Sequence, residues 1–117
     1  MIEEFVSRSF YSRDLTHWEH WRTKSFAQHQ ALGAFYDDII EAVDTLVEAY
    51  QGRFDLIGPL PIPDEYAGDI LKHLKLDCEW IEEHREHVAK STPALENLID
   101  VISEVYLRTI YKLERLK

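Results

Sequence analysis

Apolar residues recur every three or four positions along most of the chain, which is the period that places them on one face of an α-helix. They divide the chain into four predicted helices, near residues 2–21, 26–50, 64–90 and from residue 93 onward. No alternating strand pattern and no internal repeat interrupts them. The sequence therefore predicts a single all-α domain over residues 1–117, folded as a four-helix bundle.

Local signals mark the ends of these helices. Ser25 followed by Gln28 is a capping-box pattern for the second helix, which is predicted to stop at Gly52. Thr92 and Pro93 are the cap and first residue expected for the fourth helix. Residues 52–64 are rich in glycine and proline and predict a loop. A loop of this length crosses a bundle and joins parallel helices.

The core stripes follow from the same period. The stripe predicted for the second helix is Phe26, His29, Leu32 or Gly33, Tyr36, Ile40, Val43, Val47 and Tyr50. The stripe predicted for the third helix is Ala67, Ile70, Leu71, Leu74, Cys78, Ile81 and Val88.

Charge and composition argue against two classes of function, nucleic-acid binding and membrane insertion. The net charge is −9, and no basic stripe or tail is present, which argues against binding to a nucleic-acid backbone. No apolar run approaches the ~20 residues of a membrane span, and the acidic N-terminal residues do not form a secretory signal. The lone cysteine, Cys78, is typical of a reducing compartment, so we expect a cytoplasmic protein with an inert thiol on the core stripe.

Two histidines flank the predicted turn between the first two helices. His17 lies six residues before Thr23, and His29 lies six residues after it. In an antiparallel hairpin, residues equally distant from the turn lie side by side. The spacing therefore predicts that the two imidazoles converge. The third histidine of this region, His20, is expected to be exposed near the turn.

Two carboxylates follow on the second helix. Asp44 and Glu48 are four residues apart and share one face. His29 is about 22 Å from Asp44 along the helix axis at ~1.5 Å per residue, so one ion cannot contact both. A second copy packed antiparallel across a two-fold near Tyr36 to Ile40 would bring the histidines of one chain level with the carboxylates of the other. Mixed imidazole and carboxylate ligands suit iron, manganese or zinc.

The four candidate ligands and one neighbouring tryptophan match a pattern found in a known family. The residues are His17-Trp18, His29, Asp44 and Glu48. With these spacings they resemble the Dps-type miniferritins of the ferritin-like superfamily, in which a His-Trp and a later His form half of a ferroxidase site and an Asp and a Glu complete it across a dimer interface. The resemblance implies that the chain oxidises Fe²⁺ with peroxide or oxygen at two such sites.

The resemblance covers residues 15–52, where FYDDIIEAVDTLVEAYQG is similar to the family's second helix. Beyond it, the layout implies a ferritin-like bundle with a long loop between the second and third helices. Gly33 stands where the family often has Asp, which removes one ligand. The lysine-rich tail that some members use on DNA is absent, so DNA binding is not expected. A two-fold homodimer needs fewer assumptions than the family's cage, and the sequence does not decide whether dimers assemble further.

Other interpretations compete with this one. His73, Asp77, His84 and His87 have spacings that a second metal site could use, but a solvated charged face explains this segment more simply. His84 falls on the core stripe and is expected to be a buried, hydrogen-bonded histidine. The four candidate ligands also fit a different class of protein, a non-enzymatic helical dimer that serves as a structural or interaction module with a vestigial or zinc-filled site.

Overall fold

Four α-helices make up the chain in a computed structural model that describes residues 1–117. They are α1 (Ile2–Arg22), α2 (Phe26–Arg53), α3 (Ile70–Ala89) and α4 (Pro93–Arg115), and no strand is present. The predicted all-α four-helix bundle is confirmed. None of the four helices has the uninterrupted apolar length that a bilayer crossing requires.

Contacts between helices define their directions. Helix α1 packs on α2 and α3, and α4 packs on the same two helices, so α1 and α4 are diagonal partners. In three of these helix pairs, the contacting residues run in opposite order along the two helices. The contacts are His17–Tyr36 and His20–His29, Phe5–Trp80 and Ser12–His73, and Arg85–Asp100 and Lys75–Glu114. Helices α2 and α3 consequently point the same way, and residues 54–69 run the length of the bundle to connect them.

The helix caps are partly those expected from the sequence. The Ser25 hydroxyl accepts a hydrogen bond from the Gln28 amide at 3.2 Å, as predicted for the start of α2. The predicted start of α3 near residue 64 is wrong, because α3 begins at Ile70. Gly68 has φ +91°, which breaks any helix before it, and the Asp69 carboxylate then caps the Lys72 amide at 3.1 Å.

The core stripe of α2 differs from the predicted one. Its buried residues are Ala31, Leu32, Phe35, Ile39, Val43, Leu46 and Tyr50. Phe26 and Ile40, predicted to be in the core, are 74% and 38% exposed. Both faces carry apolar residues at helical spacing, and periodicity alone does not say which face meets the other helices. We call the second, outward face the outer stripe of α2: Phe26, His29, Gly33, Tyr36, Ile40, Asp44, Val47 and Glu48.

Candidate metal centre

The sequence predicts that His17 and His29 converge; in the structure their rings make no direct contact, and each lies near a third imidazole, that of His20. The ring of His20 stacks on that of His29, with 3.6 Å between centroids, and lies 6.3 Å from that of His17. His17 in turn stacks on Tyr36 at 4.0 Å and contacts Trp21 at 4.3 Å. The hairpin thus assembles an imidazole cluster, which we define as His17, His20 and His29. The prediction that His20 is exposed is wrong, since its ring is partly buried between α1 and α2.

Two reciprocal hydrogen bonds join His20 and His29. His20 Nδ1 donates to the carbonyl oxygen of His29 at 2.6 Å, and His29 Nδ1 donates to the carbonyl oxygen of His20 at 2.8 Å. The His20 carbonyl belongs to the last turn of α1, where no helical partner exists for it. A carbonyl only accepts, so each neutral ring carries its proton on Nδ1 and a lone pair on Nε2. Such a lone pair is what a metal ion binds.

Gly33 makes room for this arrangement. A Cβ at position 33 would lie 3.1 Å from Cε1 and 3.3 Å from Nδ1 of His20. The His20 ring therefore fills the space into which a side chain at position 33 would extend. The sequence shows a glycine inside one predicted helix and a histidine in the preceding helix, but it does not predict that the histidine ring packs against the glycine.

The carboxylates lie toward the other end of α2. Asp44 and Glu48 are both exposed and line a shallow groove of about 330 Å³ whose other walls are apolar. We call it the apolar groove; its remaining lining residues are Val6, Phe10, Val47, Ile57 and Leu60. The predicted sharing of one face by Asp44 and Glu48 is thus present in the structure, at a distance from the imidazole cluster.

One chain does not bring the four candidate ligands together. His29 and Asp44 are separated by about 22 Å of straight helix at ~1.5 Å per residue. No group of three or more His, Cys, Asp or Glu side chains in the chain is arranged to hold a metal ion. If the four residues form a site, a second chain has to supply half of it.

The α3 residues that the sequence offers as a second metal site do not form one cluster. His84 donates through Nδ1 to the carbonyl of Trp80 at 2.7 Å and stacks on the Trp80 ring, whereas His87 is exposed. His73 and Asp77 are close together, with 3.7 Å between Nε2 and Oδ2. These four residues therefore do not converge on one point.

Asp77 is the centre of a buried polar network that the sequence pattern does not predict. It is 3% exposed and accepts hydrogen bonds from the Ser12 hydroxyl at 2.5 Å and the Tyr106 hydroxyl at 3.1 Å. The Arg8 guanidinium donates to its other oxygen at 3.3 Å, and His73 Nε2 is 3.0 Å from the Ser12 hydroxyl. A signal existed in the small polar residues on the core face of the first helix, which require polar partners when buried.

Burial changes the acidity of groups in this network. It raises the pKa of Tyr106 well above its usual range, and the Asp77 charge adds to the effect. Burial also lowers the pKa of His73, an effect that the same charge opposes. Tyr106 therefore stays a hydrogen-bond donor, and the network is held together by groups that already satisfy one another, as is typical of a structural centre.

Comparison with known proteins gives a family and no activity. A model of a family described as a family of unknown function (DUF5856) matches residues 20–113. The chain belongs to this family. No curated protein and no solved structure matches the chain. Of the residues discussed above, the DUF5856 match includes His20, His29, Asp44 and Glu48, and it begins after His17.

Proposed function

We propose that the chain is a ferritin-like, Dps-like iron protein that forms a two-fold homodimer in the cytoplasm. At each of two interfacial sites, His17 and His29 of one chain and Asp44 and Glu48 of the other would bind Fe²⁺ as substrate. Peroxide or oxygen would oxidise the iron, which makes the protein a ferroxidase. Zinc and manganese suit the same ligands and are the competing ions.

The observation that carries this proposal is that the metal-binding atoms of the four candidate ligands have no hydrogen-bond or ion-pair partner within the chain. Asp44 and Glu48 are exposed and form no ion pair and no side-chain hydrogen bond, and His17 stacks on Tyr36 and forms no hydrogen bond. His29 uses only Nδ1, and its Nε2 is free. Many other charged residues here are paired, including a buried carboxylate. Two imidazoles and two exposed carboxylates are therefore available to bind an ion.

The outer stripe of α2 supports a second copy as the partner. Ile40 lies at its centre, close to the two-fold axis expected from the sequence, and is 38% exposed. At the N-terminal end, Phe26 is 74% exposed and Trp21 of α1 is 66% exposed. Large exposed apolar side chains along one face are typical of an interface.

The register that the metal site requires also brings the exposed Phe26 of one copy against the apolar groove of the other. Two antiparallel copies of α2 that bring His29 level with Asp44 and Glu48 bring Phe26 level with residues 47–51 of the partner. The apolar groove lies at that level, lined in part by Val47. A single register therefore brings the candidate ligands together and also covers the exposed apolar side chains. Two-fold symmetry repeats both contacts at the other end of the interface.

The chemistry assigned to the site is an electron transfer. Two Fe²⁺ each lose one electron, and one hydrogen peroxide takes up two electrons and two protons to become two water molecules. Imidazole nitrogen and carboxylate oxygen accommodate both oxidation states of iron, and carboxylates favour the more highly charged product. With Gly33 beside the cluster, the site has no further carboxylate at that position for a second tightly held ion.

Anaerobic titration of the apo-protein with Fe²⁺, followed by calorimetry, is the first test. About one tightly bound iron per chain is expected, with rapid oxidation after peroxide or air is added. His29→Ala and Asp44→Ala should each abolish binding and leave the helical content unchanged. Wild-type protein that forms a stable dimer but binds no Fe²⁺ would contradict the proposal.

Mixing the two inactive variants tests whether the site is shared. A dimer of one His29→Ala chain and one Asp44→Ala chain has one site with both defects and one intact site. After subunit exchange at equal concentration, half of the dimers are mixed, so about a quarter of the wild-type sites should return. A site within one chain predicts no recovery, which would refute the shared arrangement even if iron binds.

The rival class, a non-enzymatic helical module, is favoured by the reciprocal bonds of His20 and His29. These bonds fasten the end of α1 to α2, which is a sufficient structural reason for two histidines at the hairpin. This class predicts that Asp44→Ala changes neither metal content nor any redox rate, and that His29→Ala mainly lowers the stability of the fold. The titration above separates the two.

A further inference from the structure

We infer that His20 is a positioning residue for His29: its ring and its backbone fix the plane and the tautomer in which His29 presents Nε2 to a metal ion. This inference rests on the proposed function for the identity of the bound ion. It assigns to His20 a role outside the set of four ligands, and it explains why glycine occupies position 33.

The tautomer of His29 is set by the backbone of residue 20. Its Nδ1 lies 2.8 Å from the His20 carbonyl oxygen, which accepts and cannot donate. The alternative tautomer, with the proton on Nε2, would place two lone pairs against each other across this distance. Metal-binding histidines commonly donate their other ring nitrogen to a carbonyl or carboxylate, which orients the ring and strengthens its binding nitrogen.

The plane of the His29 ring is set by the side chain of His20. The two rings are stacked, with 3.6 Å between centroids and 18° between planes. The hydrogen bond from His20 Nδ1 to the His29 carbonyl holds the stacking ring in place at 2.6 Å. His20 can lie this close to α2 only because Gly33 has no side chain, since a Cβ there would meet its ring at 3.1 Å.

The same geometry excludes His20 as a ligand of the ion that His29 binds. An imidazole binds a metal ion in the plane of its ring, at about 2.0–2.1 Å from nitrogen for zinc. Two nearly parallel planes stacked 3.6 Å apart share no such point. His20 therefore acts through His29, in contrast to His17, whose ring is stacked elsewhere, on Tyr36.

Two variants of His20 test this role. His20→Ala removes the stacking ring and the hydrogen bond to the His29 carbonyl. His20→Asn keeps a donor near the position of Nδ1 and removes the ring, and it avoids the larger void of alanine. The first measurement is the ¹⁵N chemical shift of the ring nitrogens in metal-free protein at about pH 8.5, where histidine is neutral. The second is the anaerobic affinity for Fe²⁺.

In wild-type protein we expect His29 in the Nδ1–H tautomer alone. His20→Ala keeps the residue 20 carbonyl but removes the stacked ring, so the His29 ring can rotate away from that carbonyl and the Nε2–H tautomer should become populated. The Fe²⁺ affinity should then fall about 10–100-fold at unchanged stoichiometry, as is usual for a lost outer contact. His20→Asn should lose less affinity than His20→Ala. An unchanged tautomer and affinity in His20→Ala would refute the positioning role, and a lost binding site would show that His20 is a ligand.

The tautomer measurement separates this inference from the proposed function. If wild-type protein binds no Fe²⁺, the proposed function fails, yet the ¹⁵N shifts still decide whether His20 fixes His29. If iron binds and His29→Ala abolishes binding while the tautomer of His29 is the same in wild-type protein and His20→Ala, the proposed function stands and the inference about His20 falls.

Discussion

Gly33→Ala is the substitution whose effect on stability depends most directly on the imidazole cluster. In the interior of a helix, alanine is more favourable than glycine by about 1 kcal/mol, because it restricts the unfolded chain. At position 33 the added Cβ would lie 3.1 Å from the His20 ring, which must then move by a few tenths of an ångström. That shift disturbs the stack on His29 and the hydrogen bond beneath it.

The two effects oppose each other, and their sum depends on residue 20. Overpacking of a well-packed contact costs about 1–3 kcal/mol, so Gly33→Ala should change the free energy of unfolding by between zero and a loss of about 2 kcal/mol in wild-type protein. In a His20→Ala background the space is empty, and the same substitution should stabilise the fold by about 1 kcal/mol. The coupling between the two positions is therefore at least about 1 kcal/mol.

Urea unfolding of the four proteins, followed by circular dichroism, measures this coupling. All four should be compared at one protein concentration, because a dimer's apparent stability depends on it. Independent positions add to within about 0.5 kcal/mol. If Gly33→Ala has the same effect in both backgrounds to within that margin, His20 does not occupy the space at Gly33, and the explanation for this glycine is wrong.

Three further substitutions or reagents probe other parts of the chain. Tyr106→Phe removes a hydroxyl that donates to a buried carboxylate and should cost about 1–3 kcal/mol in urea unfolding; the exposed control Tyr111→Phe should cost less than about 0.5 kcal/mol. The Gly58 amide is the main reason why the pKa of Glu3 is lowered from 4.5 to about 2. At pH 7 the free energy of unfolding of wild-type protein should therefore exceed that of Glu3→Gln. This difference, measured in denaturant titrations, should disappear as the pH falls from 4.5 towards 2. Burial raises the pKa of Cys78 to about 12, so a thiol reagent at neutral pH should label it only after unfolding.

The parts of the fold that the sequence predicted depend on neighbouring residues in the chain. The number of helices, the cap at Ser25, the fourth helix from Pro93 and the hairpin of α1 and α2 all follow from local spacing. The predicted start of α3 is too early because acidic residues after a proline resemble the first turn of a helix. Gly68, with its positive φ, sits between them and the real cap at Asp69.

The parts that the sequence did not predict depend on which helices meet. Asp77 looks like a residue of a charged face until α1 brings Ser12 and Arg8 against it. His20 looks exposed until the stack with His29 is known. Periodicity gives the direction of a side chain around its own helix axis but not the element it faces, so side chains that interact across helices are the ones it misses.

The outer stripe of α2 links the fold to the proposed site through charge. A chain of net charge −9 that brings Asp44 and Glu48 of one copy towards a second copy gains negative charge at the interface unless a cation or the imidazole cluster balances it. Dimer formation and cation binding are therefore expected to strengthen each other by the same factor.

This linkage can be measured without any oxidation reaction. In sedimentation equilibrium, Zn²⁺, a redox-inert ion that suits the same ligands, should tighten the dimer relative to protein in a chelator. Asp44→Asn should tighten the metal-free dimer and abolish the effect of Zn²⁺, whereas Glu83→Gln, which removes an exposed charge on α3, should preserve it. A dimer that responds to Zn²⁺ equally in both variants would place the cation away from Asp44, and the shared site would have to be abandoned.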